Sequence, residues 1–277
     1  MTQSALDAAL KTRFGDADPV PEALTEVPAL AALAARGSCR RFTDQPVENE
    51  TLRTLAAVAL AAPSKSDLQQ RDILIIQDAD VLNQLKALLV GQDWIAGARH
   101  LVVFCASHNR QQLSHQMWQR PFANHHLDAF FNASVDAGIA LATFMVAAEA
   151  AGLGCCPIST IRNRIAEVSE VLGLPDHVFP VAGMAVGHPA PGATHISPRL
   201  PLAATVHTDR YDSATQEASI CAYDERRKAY EAAYRAKAGV APDAPHPTWS
   251  DAKTQMYARV QRDDFGAFVR KIGFSLD

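Results

Sequence analysis

The 277-residue chain carries 26 Lys and Arg against 30 Asp and Glu, and its net charge of −4 provides no general basic field for nucleic acid. With 48% apolar and 20% charged residues, the composition is typical of a soluble globular protein of one large domain or two small ones. No apolar segment follows Met1, and five scattered cysteines without a C-x-x-C pair predict a cytoplasmic, reducing location with neither zinc nor disulfides.

After a polar preamble, the first half of the chain alternates predicted helices with two apolar strands. Helix starts are indicated by Pro28 at a first helical position and by Glu48 or Asn49 as a cap. Apolar spacing predicts a short helix around Leu6 and Leu10, helices from Pro28 to about Ala35 and from Asn49 to Ala62, a strand from Ile73 to Ile76, a helix from Val81 to Leu89, a short helix ending near Ala98, a strand from His100 to Cys105 and a helix from Asn109 to Arg120.

The segment from Ala133 to Arg164 is predicted to be the centre of the core. Residues 133–151 are apolar or small on nearly every helical face, which is typical of a buried helix. The uncharged run between Asp136 and Glu149 is shorter than the ~20 residues that cross a bilayer, so we expect no membrane span. Small residues let another backbone approach closely, as at a subunit interface. Gly152 is predicted to end the helix.

Beyond this turn, further strands and helices are predicted, and the character of the chain changes at Thr205. The predicted elements are a strand from Cys156 to Ile158, a helix from Ile161 to Leu172 capped by Ser159 and Thr160, a strand from Val178 to Val186, a charged helix from Thr215 to Ala236, and a final helix capped near Thr248 that runs to about Lys271. The tail beyond Thr205 carries little apolar surface, so we expect it to lie over a neighbour.

Several common functional motifs are missing from the sequence. Gly152 and Gly154 end a helix instead of opening one, and Pro157 stands where a third glycine would complete a dinucleotide-binding turn. There is no Walker loop, no G-x-S-x-G and no H-E-x-x-H. Four nearby histidines lack a carboxylate or cysteine at metal-ligand spacing, so we expect no metal site at His108, His115, His125 and His126.

Basic and hydroxyl-bearing residues instead recur at four separate places, namely Arg36–Arg40, Ser64–Ser66, Ser159–Thr160 and Arg199. Each has an ordinary interpretation alone, as a solvated turn or a plain connection between elements. A guanidinium matches a phosphate, and hydroxyl and backbone N–H groups suit a polar ring. If the four places converge, they form a site for a ligand that has both parts, and FMN is such a ligand.

The order of these blocks resembles the nitroreductase family of FMN enzymes, most closely its NADPH-dependent oxygen-insensitive nitroreductases and flavin reductases. The resemblance extends from Pro28 to the C-terminus. It is carried by R-G-S-C-R-R-F-T-D-Q-P-V at Arg36–Val47, A-A-P-S-K-S-D-L-Q at Ala61–Gln69, D-A-G at Asp136–Gly138 with the turn at Gly152–Gly154, I-R-N at Ile161–Asn163, L-G-L-P at Leu172–Pro175, G-H-P at Gly187–Pro189, P-R-L-P at Pro198–Pro201 and T-W-S-D at Thr248–Asp251.

The resemblance implies an α+β fold, a three-layer α-β-α sandwich with a C-terminal helical extension. It divides the chain into an N-terminal extension (1–27), an FMN-binding core (28–204) and an extension that wraps the partner subunit (205–277). It further implies an obligate homodimer with two FMN sites at the subunit interface.

The same resemblance assigns residues to FMN and names no catalytic side chain and no metal ligand. The opening turn and the Pro-Arg-Leu-Pro arginine bind FMN partly through its phosphate, the serine loop reaches the flavin of the other subunit, a glutamine contacts the flavin, and the strand after the glycine turn lines the isoalloxazine ring. In this order, the residues are Arg36, Gly37, Ser38, Arg40 and Arg199; Ser64, Lys65, Ser66 and Gln69; Gln92; and Pro157, Ile158, Ser159 and Thr160.

Five residues, at four places, depart from the family pattern. Gly37 replaces an arginine, Lys65 a serine, Ser159–Thr160 a pair of glycines, and Ser197 a lysine. The arginines expected shortly before Trp249 to hold the 2′-phosphate of NADPH are also absent, and Arg235, Lys237 and His246 are the candidate replacements. NADPH and NADH both stay open as the reductant.

The function implied is an FMN-dependent NAD(P)H oxidoreductase that reduces small-molecule electron acceptors, such as nitroaromatics, quinones or flavins, in a ping-pong cycle. Two alternatives stay open. One is a flavin reductase that releases reduced FMN to a partner, and the other is a flavin-binding protein without reductase activity. No nucleic-acid or membrane partner is expected.

Overall fold

The computed structural model describes residues 3–15, 17–237 and 247–277, with the backbone alone for residues 235–237. His246 and the side chains of Arg235 and Lys237 therefore lie outside the described part of the chain. The chain divides into two compact units. The first contains Met1–Gly37 and His195–Gln261, and the second contains Ser38–Thr194 and Arg262–Asp277.

Helices and strands have the following bounds. The strands are β1 Arg71–Ile76, β2 His100–Ser107, β3 Gly154–Ile158 and β4 Val178–Gly187. The α-helices are α1 Ala5–Phe14, α2 Glu22–Thr25, α3 Pro28–Ala35, α4 Asn49–Leu60, α5 Ala79–Leu88, α6 Asn109–Met117, α7 Leu127–Ala150, α8 Ile165–Val171, α9 Gln216–Lys237, α10 Trp249–Tyr257 and α11 Phe265–Lys271. Short 3-10 helices occupy Lys65–Asp67, Asp93–Gly97, Ser159–Arg162 and Leu202–Ala204.

The second unit is built on an antiparallel sheet with the strand order β1-β2-β4-β3. Successive side chains of a strand point to opposite faces. Val102 and Phe104 of β2 accordingly pack with α4 and α7, whereas Val103 and Cys105 pack with α5 and α8. Helices thus cover both faces of the sheet. The predicted α+β class and three-layer α-β-α sandwich are confirmed, and helices follow at the C-terminal end of the chain.

Helix α7 is longer and less completely buried than the sequence predicts. It begins at Leu127 instead of Ala133, and Gly152 follows it with a φ of 79°, as expected for a helix stop. Among the described residues, it is the one helix whose length and apolarity would suffice to cross a membrane. The prediction of burial on every face is wrong within one chain, because only one side packs on the unit, and four large apolar side chains on α7 stay exposed: Leu127, Phe131, Val135 and Val146.

Two other predicted helices are each divided into two pieces. Ser159 and Thr160 do not cap a helix that reaches Leu172, because Ser159–Arg162 form a 3-10 turn and α8 begins only at Ile165. Thr248 caps α10 as predicted, by accepting the N–H of Asp251 at 3.3 Å. The helix nevertheless ends at Tyr257, far short of Lys271. Arg262, which lies between α10 and α11, has a positive φ of 57°.

A buried carboxylate joins α7 to the loop that precedes β1. Asp136 is 1% exposed and accepts the backbone N–H of Lys65 at 3.0 Å and that of Gln70 at 3.2 Å. Its Oδ2 also lies 3.8 Å from Nη1 of Arg71, which is buried as well. The central helix therefore fixes both ends of the segment from Lys65 to Gln70.

Arg71 completes this arrangement from the other side of the loop. Its guanidinium donates to the carbonyls of Leu60 at 2.9 Å and Pro63 at 3.2 Å, just where α4 has ended. Three residues of the loop have a positive φ, so its 3-10 helix Lys65–Asp67 is irregular: 50° at Ser66, 56° at Asp67 and 51° at Gln69. Buried polar groups supply the order that a helix or strand would otherwise give.

Asp136→Ala should destabilise the protein severely, because it leaves Arg71 buried without its counterion and two backbone N–H groups without acceptors. We expect the free energy of unfolding to fall by about 3–5 kcal/mol in urea denaturation. Asp128→Ala removes an exposed carboxylate from the same helix and should cost no more than about 1 kcal/mol. Equal losses in the two variants would contradict this role of Asp136.

Histidines of the second unit pack into a cluster of aromatic rings beside the C-terminal segment. His108 is 1% exposed, and its Nε2 hydrogen-bonds Oε1 of Gln70 at 2.6 Å. Its ring packs against Phe274 at a centroid distance of 5.1 Å. Burial, followed by the charges of His125 and His177, lowers the pKa of His108 to about 4. The imidazole is therefore neutral in the folded protein near pH 7.

The lowered pKa of His108 makes stability depend on pH. An unfolded histidine titrates near 6.5, so the unfolded chain binds this proton more readily, and stability is lost as pH falls from about 6.5 toward 4. Between pH 7 and 4.5 we expect His108 alone to account for about 2 kcal/mol of the loss in the free energy of unfolding. Urea denaturation of wild type and His108→Asn at the two pH values measures it. An equal loss in both proteins would contradict the assignment.

Candidate functional site

In the first unit, the main chain around Arg36 and Arg199 is tied to a third arginine, Arg13 of α1. The Arg13 side chain is buried and donates from Nε to the carbonyl of Ala34 at 2.9 Å, from Nη1 to Ser197 at 3.2 Å and from Nη2 to Arg36. Burial, then the charges of Arg199 and Arg36, lower the pKa of Arg13. Several like charges held close together form a natural place for an anion such as a phosphate.

A cavity of about 480 Å³ borders this arginine cluster. Arg13 and Arg199 line it together with aromatic side chains, among them Tyr223 and Trp249. The Tyr223 hydroxyl donates to the carbonyl of Pro198 at 3.1 Å, which anchors the segment that carries Arg199. Arg199 itself stays exposed and donates from Nη1 to Oγ of Ser197 at 3.0 Å.

Gly37 has a steric reason to replace the arginine of the family pattern. A Cβ atom built on Gly37 would lie 2.3 Å from the carbonyl oxygen of His195 and 2.9 Å from its nitrogen. Both distances are shorter than any real contact, and the obstacle is backbone. Only glycine permits the main chain to pass this close to His195.

In the second unit, the turn that contains Ser38 is fixed against β3. The N–H of Cys39 donates to the carbonyl of Cys155 at 2.9 Å, and a Cβ on Gly154 would lie 2.6 Å from Sγ of Cys39. Burial raises the pKa of the Cys39 thiol. This cysteine is therefore a packing residue that holds the turn close to the strand, while its neighbour Arg40 is exposed.

Arg40 and Gln92 lie close together because both contact Trp94. The guanidinium of Arg40 is 5.9 Å from the centre of the indole ring. The indole Nε1–H donates to Oε1 of Gln92 at 2.8 Å and so fixes the orientation of the amide. Trp94 is a member of this group that the sequence pattern did not identify, although it stands two residues after Gln92.

The serine loop presents polar side chains on a strained backbone. Ser64 Oγ accepts the N–H of Gln69 at 3.1 Å, and Gln69 Nε2 donates to Oδ1 of Asp67 at 3.3 Å. The side chains of Lys65 and Ser66 are exposed. Sequence reasoning missed Asp136, which holds this loop, although a lone carboxylate in an apolar helix is a signal that it has a buried partner.

Residues Pro157–Thr160 lie at the end of β3, which forms an edge of the sheet. Pro157 has no N–H to donate and so suits an edge strand. Ile158 is buried, whereas Ser159 is exposed. The Oγ1 atom of Thr160 is buried and has no hydrogen-bond partner among the described residues. A buried hydroxyl without a partner costs about 1–3 kcal/mol, so a polar ligand group here would restore a lost interaction.

The sites predicted at Ser64–Gln69 and Pro157–Thr160 do not lie together in a single chain. The serine loop precedes β1 and the threonine turn follows β3, and these strands form opposite edges of the four-stranded sheet. Adjacent strands are about 4.8 Å apart, so the two edges are separated by roughly 14 Å. The chemistry of the residues nevertheless fits FMN, because exposed guanidinium groups suit its phosphate and amide and hydroxyl groups suit its ring.

Comparison with known proteins identifies the family. Residues 33–188 match the nitroreductase family, and residues 197–277 match the C-terminal domain of that family. The chain is 33% identical over 242 residues to an FMN reductase (NADPH) of Bacillus subtilis, covering 86% of this chain and 94% of that protein. It is 32% identical over 248 residues to an oxygen-insensitive NADPH nitroreductase of Salmonella typhimurium, covering 90% and 98%.

A solved structure gives the same result. NfrA2 of B. megaterium superposes with a TM-score of 0.84 and 32% sequence identity, over 91% of this chain and 99% of that one. The fold and the order of the motifs agree with the similarity to these relatives, which extends over nearly their full length. The chain belongs to the nitroreductase family.

Proposed function

We propose that the protein is an FMN-dependent NAD(P)H oxidoreductase that reduces nitroaromatics, quinones or free flavins. The observation that carries the proposal is the arginine cluster of the first unit, with Arg199 exposed at its edge, in a chain whose relatives are named for FMN and NADPH. Arg36 and Arg199 would hold the phosphate, because guanidinium groups donate two hydrogen bonds to one anion. Gly37 and Ser38 would contribute backbone and hydroxyl groups beside it.

The second unit carries the residues assigned to the flavin ring. Gln92 would donate its oriented amide to a ring carbonyl, with Arg40 beside it. Pro157–Thr160 would line the ring, and the hydroxyl of Thr160 would gain the partner that it lacks among the described residues. Ser64, Lys65, Ser66 and Gln69 would reach the ring of the other subunit.

A homodimer would join the two sets of residues that one chain keeps apart. The serine loop and the threonine turn lie at opposite edges of the sheet, so a second copy is needed to bring them together. The exposed apolar side chains of α7, with Phe131 59% exposed and Leu127 50% exposed, offer a surface for that contact. The chain divisions at 27 and 204, and the wrapping of the partner by the C-terminal part, belong to this proposal.

FMN held by these residues would supply the chemistry of hydride transfer between NADPH or NADH and an electron acceptor. The protein would orient the ring and stabilise negative charge on it through Arg40 or through backbone N–H groups. We assign no side chain as a proton donor. The cysteines within the described residues are all free thiols, which is consistent with a cytoplasmic location.

A flavin reductase is the second candidate, and the name of the Bacillus subtilis relative favours it. Reduced FMN would then leave the protein and serve a partner. Free FMN turning over faster than nitroaromatics in steady-state assays distinguishes this function from nitroreduction.

An anaerobic titration tests the proposed activity and settles the reductant. We expect pure protein to be yellow and stoichiometric NADPH or NADH to bleach its flavin absorbance, because hydride transfer to the ring removes those bands. The more efficient nucleotide is the reductant. Yellow protein that neither nucleotide bleaches would instead indicate a flavin-binding protein without reductase activity. Colourless protein that does not bind added FMN would overturn the proposal.

Arg40→Ala tests the proposed cofactor site. Loss of a charged donor should raise the dissociation constant of FMN about tenfold, as measured by quenching of flavin fluorescence. Arg53→Ala removes an exposed arginine of α4 in the same unit and should leave FMN affinity unchanged. If Arg40→Ala purifies with full flavin occupancy and normal affinity, Arg40 does not bind the cofactor.

A further inference from the structure

Arg13 lies in a part of the chain that precedes the family match, which begins at residue 33. It is nevertheless only 7% exposed, and within the described residues its guanidinium hydrogen-bonds main-chain carbonyls alone. Burying a guanidinium costs free energy unless its donors are satisfied, and here each of its three nitrogens has an acceptor. The buried guanidinium therefore holds particular segments of the main chain in place.

Two of the acceptors belong to the C-terminal end of α3. The helix ends at Ala35 with Arg36 as its C-cap, and Arg13 donates to the carbonyls of Ala34 and Arg36. The last carbonyls of a helix lack partners within the helix, and a cation there also interacts favourably with the helix dipole. Arg13 thereby fixes the backbone from which the side chain of Arg36 extends.

The third acceptor and a return bond involve the segment that carries Arg199. Arg13 donates to the carbonyl of Ser197 at 3.2 Å, and the N–H of Arg199 donates to the carbonyl of Arg13 at 2.7 Å. Arg226 of α9 adds donors to the carbonyls of both Arg13 and Arg199. One residue of α1 is thus bonded to both of the chain segments to which the phosphate is assigned.

We propose that Arg13 is a positioning residue for FMN, which holds Arg36 and Arg199 at the spacing that one phosphate requires. The inference rests on the proposed function, because it presumes that these two arginines bind the phosphate. Arg13 acts through backbone and adds to the local positive charge, and its effect should be specific to the phosphate. The N-terminal helix would then be a part of the cofactor site.

The test compares FMN with riboflavin, which has the same ring and no phosphate. In the flavin-free full-length chain, Arg13→Gln should raise the dissociation constant of FMN about tenfold or more and change that of riboflavin by less than about twofold. Lys11→Gln removes an exposed charge from the same helix and should change neither constant. Thermal melts of all variants report whether the fold is intact.

An FMN affinity of Arg13→Gln within about twofold of wild type would overturn the proposal, as would equal weakening of FMN and riboflavin, which indicates general damage. If Arg13→Gln does not fold, Arg13→Lys decides. Its single nitrogen keeps the charge but cannot reach three carbonyls, so a selective loss of FMN affinity is expected, and wild-type affinity would refute the role.

Arg199→Ala separates failure of this inference from failure of the proposed function. If Arg199→Ala binds FMN as tightly as wild type, the phosphate assignment itself is wrong. If Arg199→Ala weakens FMN selectively and Arg13→Gln does not, the phosphate assignment stands and only the role of Arg13 is rejected.

Discussion

The buried carboxylate of Asp136 is the constraint on which the second unit depends. A helix that supplies the core would ordinarily be apolar, and Asp136 interrupts that pattern at a cost in solvation. The cost is offset by two backbone N–H groups and by Arg71, which reaches back to carbonyls at the end of α4. The central helix, the end of α4 and the start of β1 are thereby held together around the buried pair of Asp136 and Arg71.

These buried contacts keep the serine loop ordered although its backbone conformation is irregular. Ser66 and Gln69 have positive φ values outside the range of regular helices and strands, and Ser66 distorts the short 3-10 helix Lys65–Asp67. Backbone strain of this kind persists only where the surroundings enforce it. The buried side chains of Asp136 and Arg71 enforce this backbone conformation through hydrogen bonds to the main chain. The exposed polar side chains of the loop are therefore held in a fixed arrangement.

Local patterns predicted most of the fold because the signals that set helices and strands are local. Pro28 begins α3, Thr248 caps α10, and the apolar runs at β1, β2 and β4 become strands within a few residues of the predicted bounds. The prediction was wrong where a distant contact interrupts a continuous pattern. Arg262, which donates to Asn163 at 2.8 Å and has a positive φ, lies in the interval that separates α10 from α11 within what reads as one long C-terminal helix.

The candidate site was predictable only as a set of residue types in a familiar order. The resemblance pointed to Arg36, Arg40, Gln92 and Arg199, but no spacing rule links Arg13 to Ser197 or Asp136 to Lys65. Those contacts join residues that are 184 and 71 positions apart in the chain. Which residues support the site in this way depends on contacts that form only in the folded chain, so they can be identified only when the fold is known.

In each unit a buried charged side chain holds the surrounding main chain in place, and the two side chains, Asp136 and Arg13, have opposite charges. In the second unit a buried anion collects backbone N–H groups, and in the first a buried cation collects backbone carbonyls. In both cases the buried group is satisfied mainly by main chain, which every residue possesses, so the exposed side chains around it are free to vary. This is consistent with a substitution such as Lys65, whose side chain is exposed, in a chain that keeps the family fold. It also means that the backbone geometry at exposed residues such as Lys65 and Arg199 is set by buried groups, Asp136 and Arg13, that lie far from them in sequence.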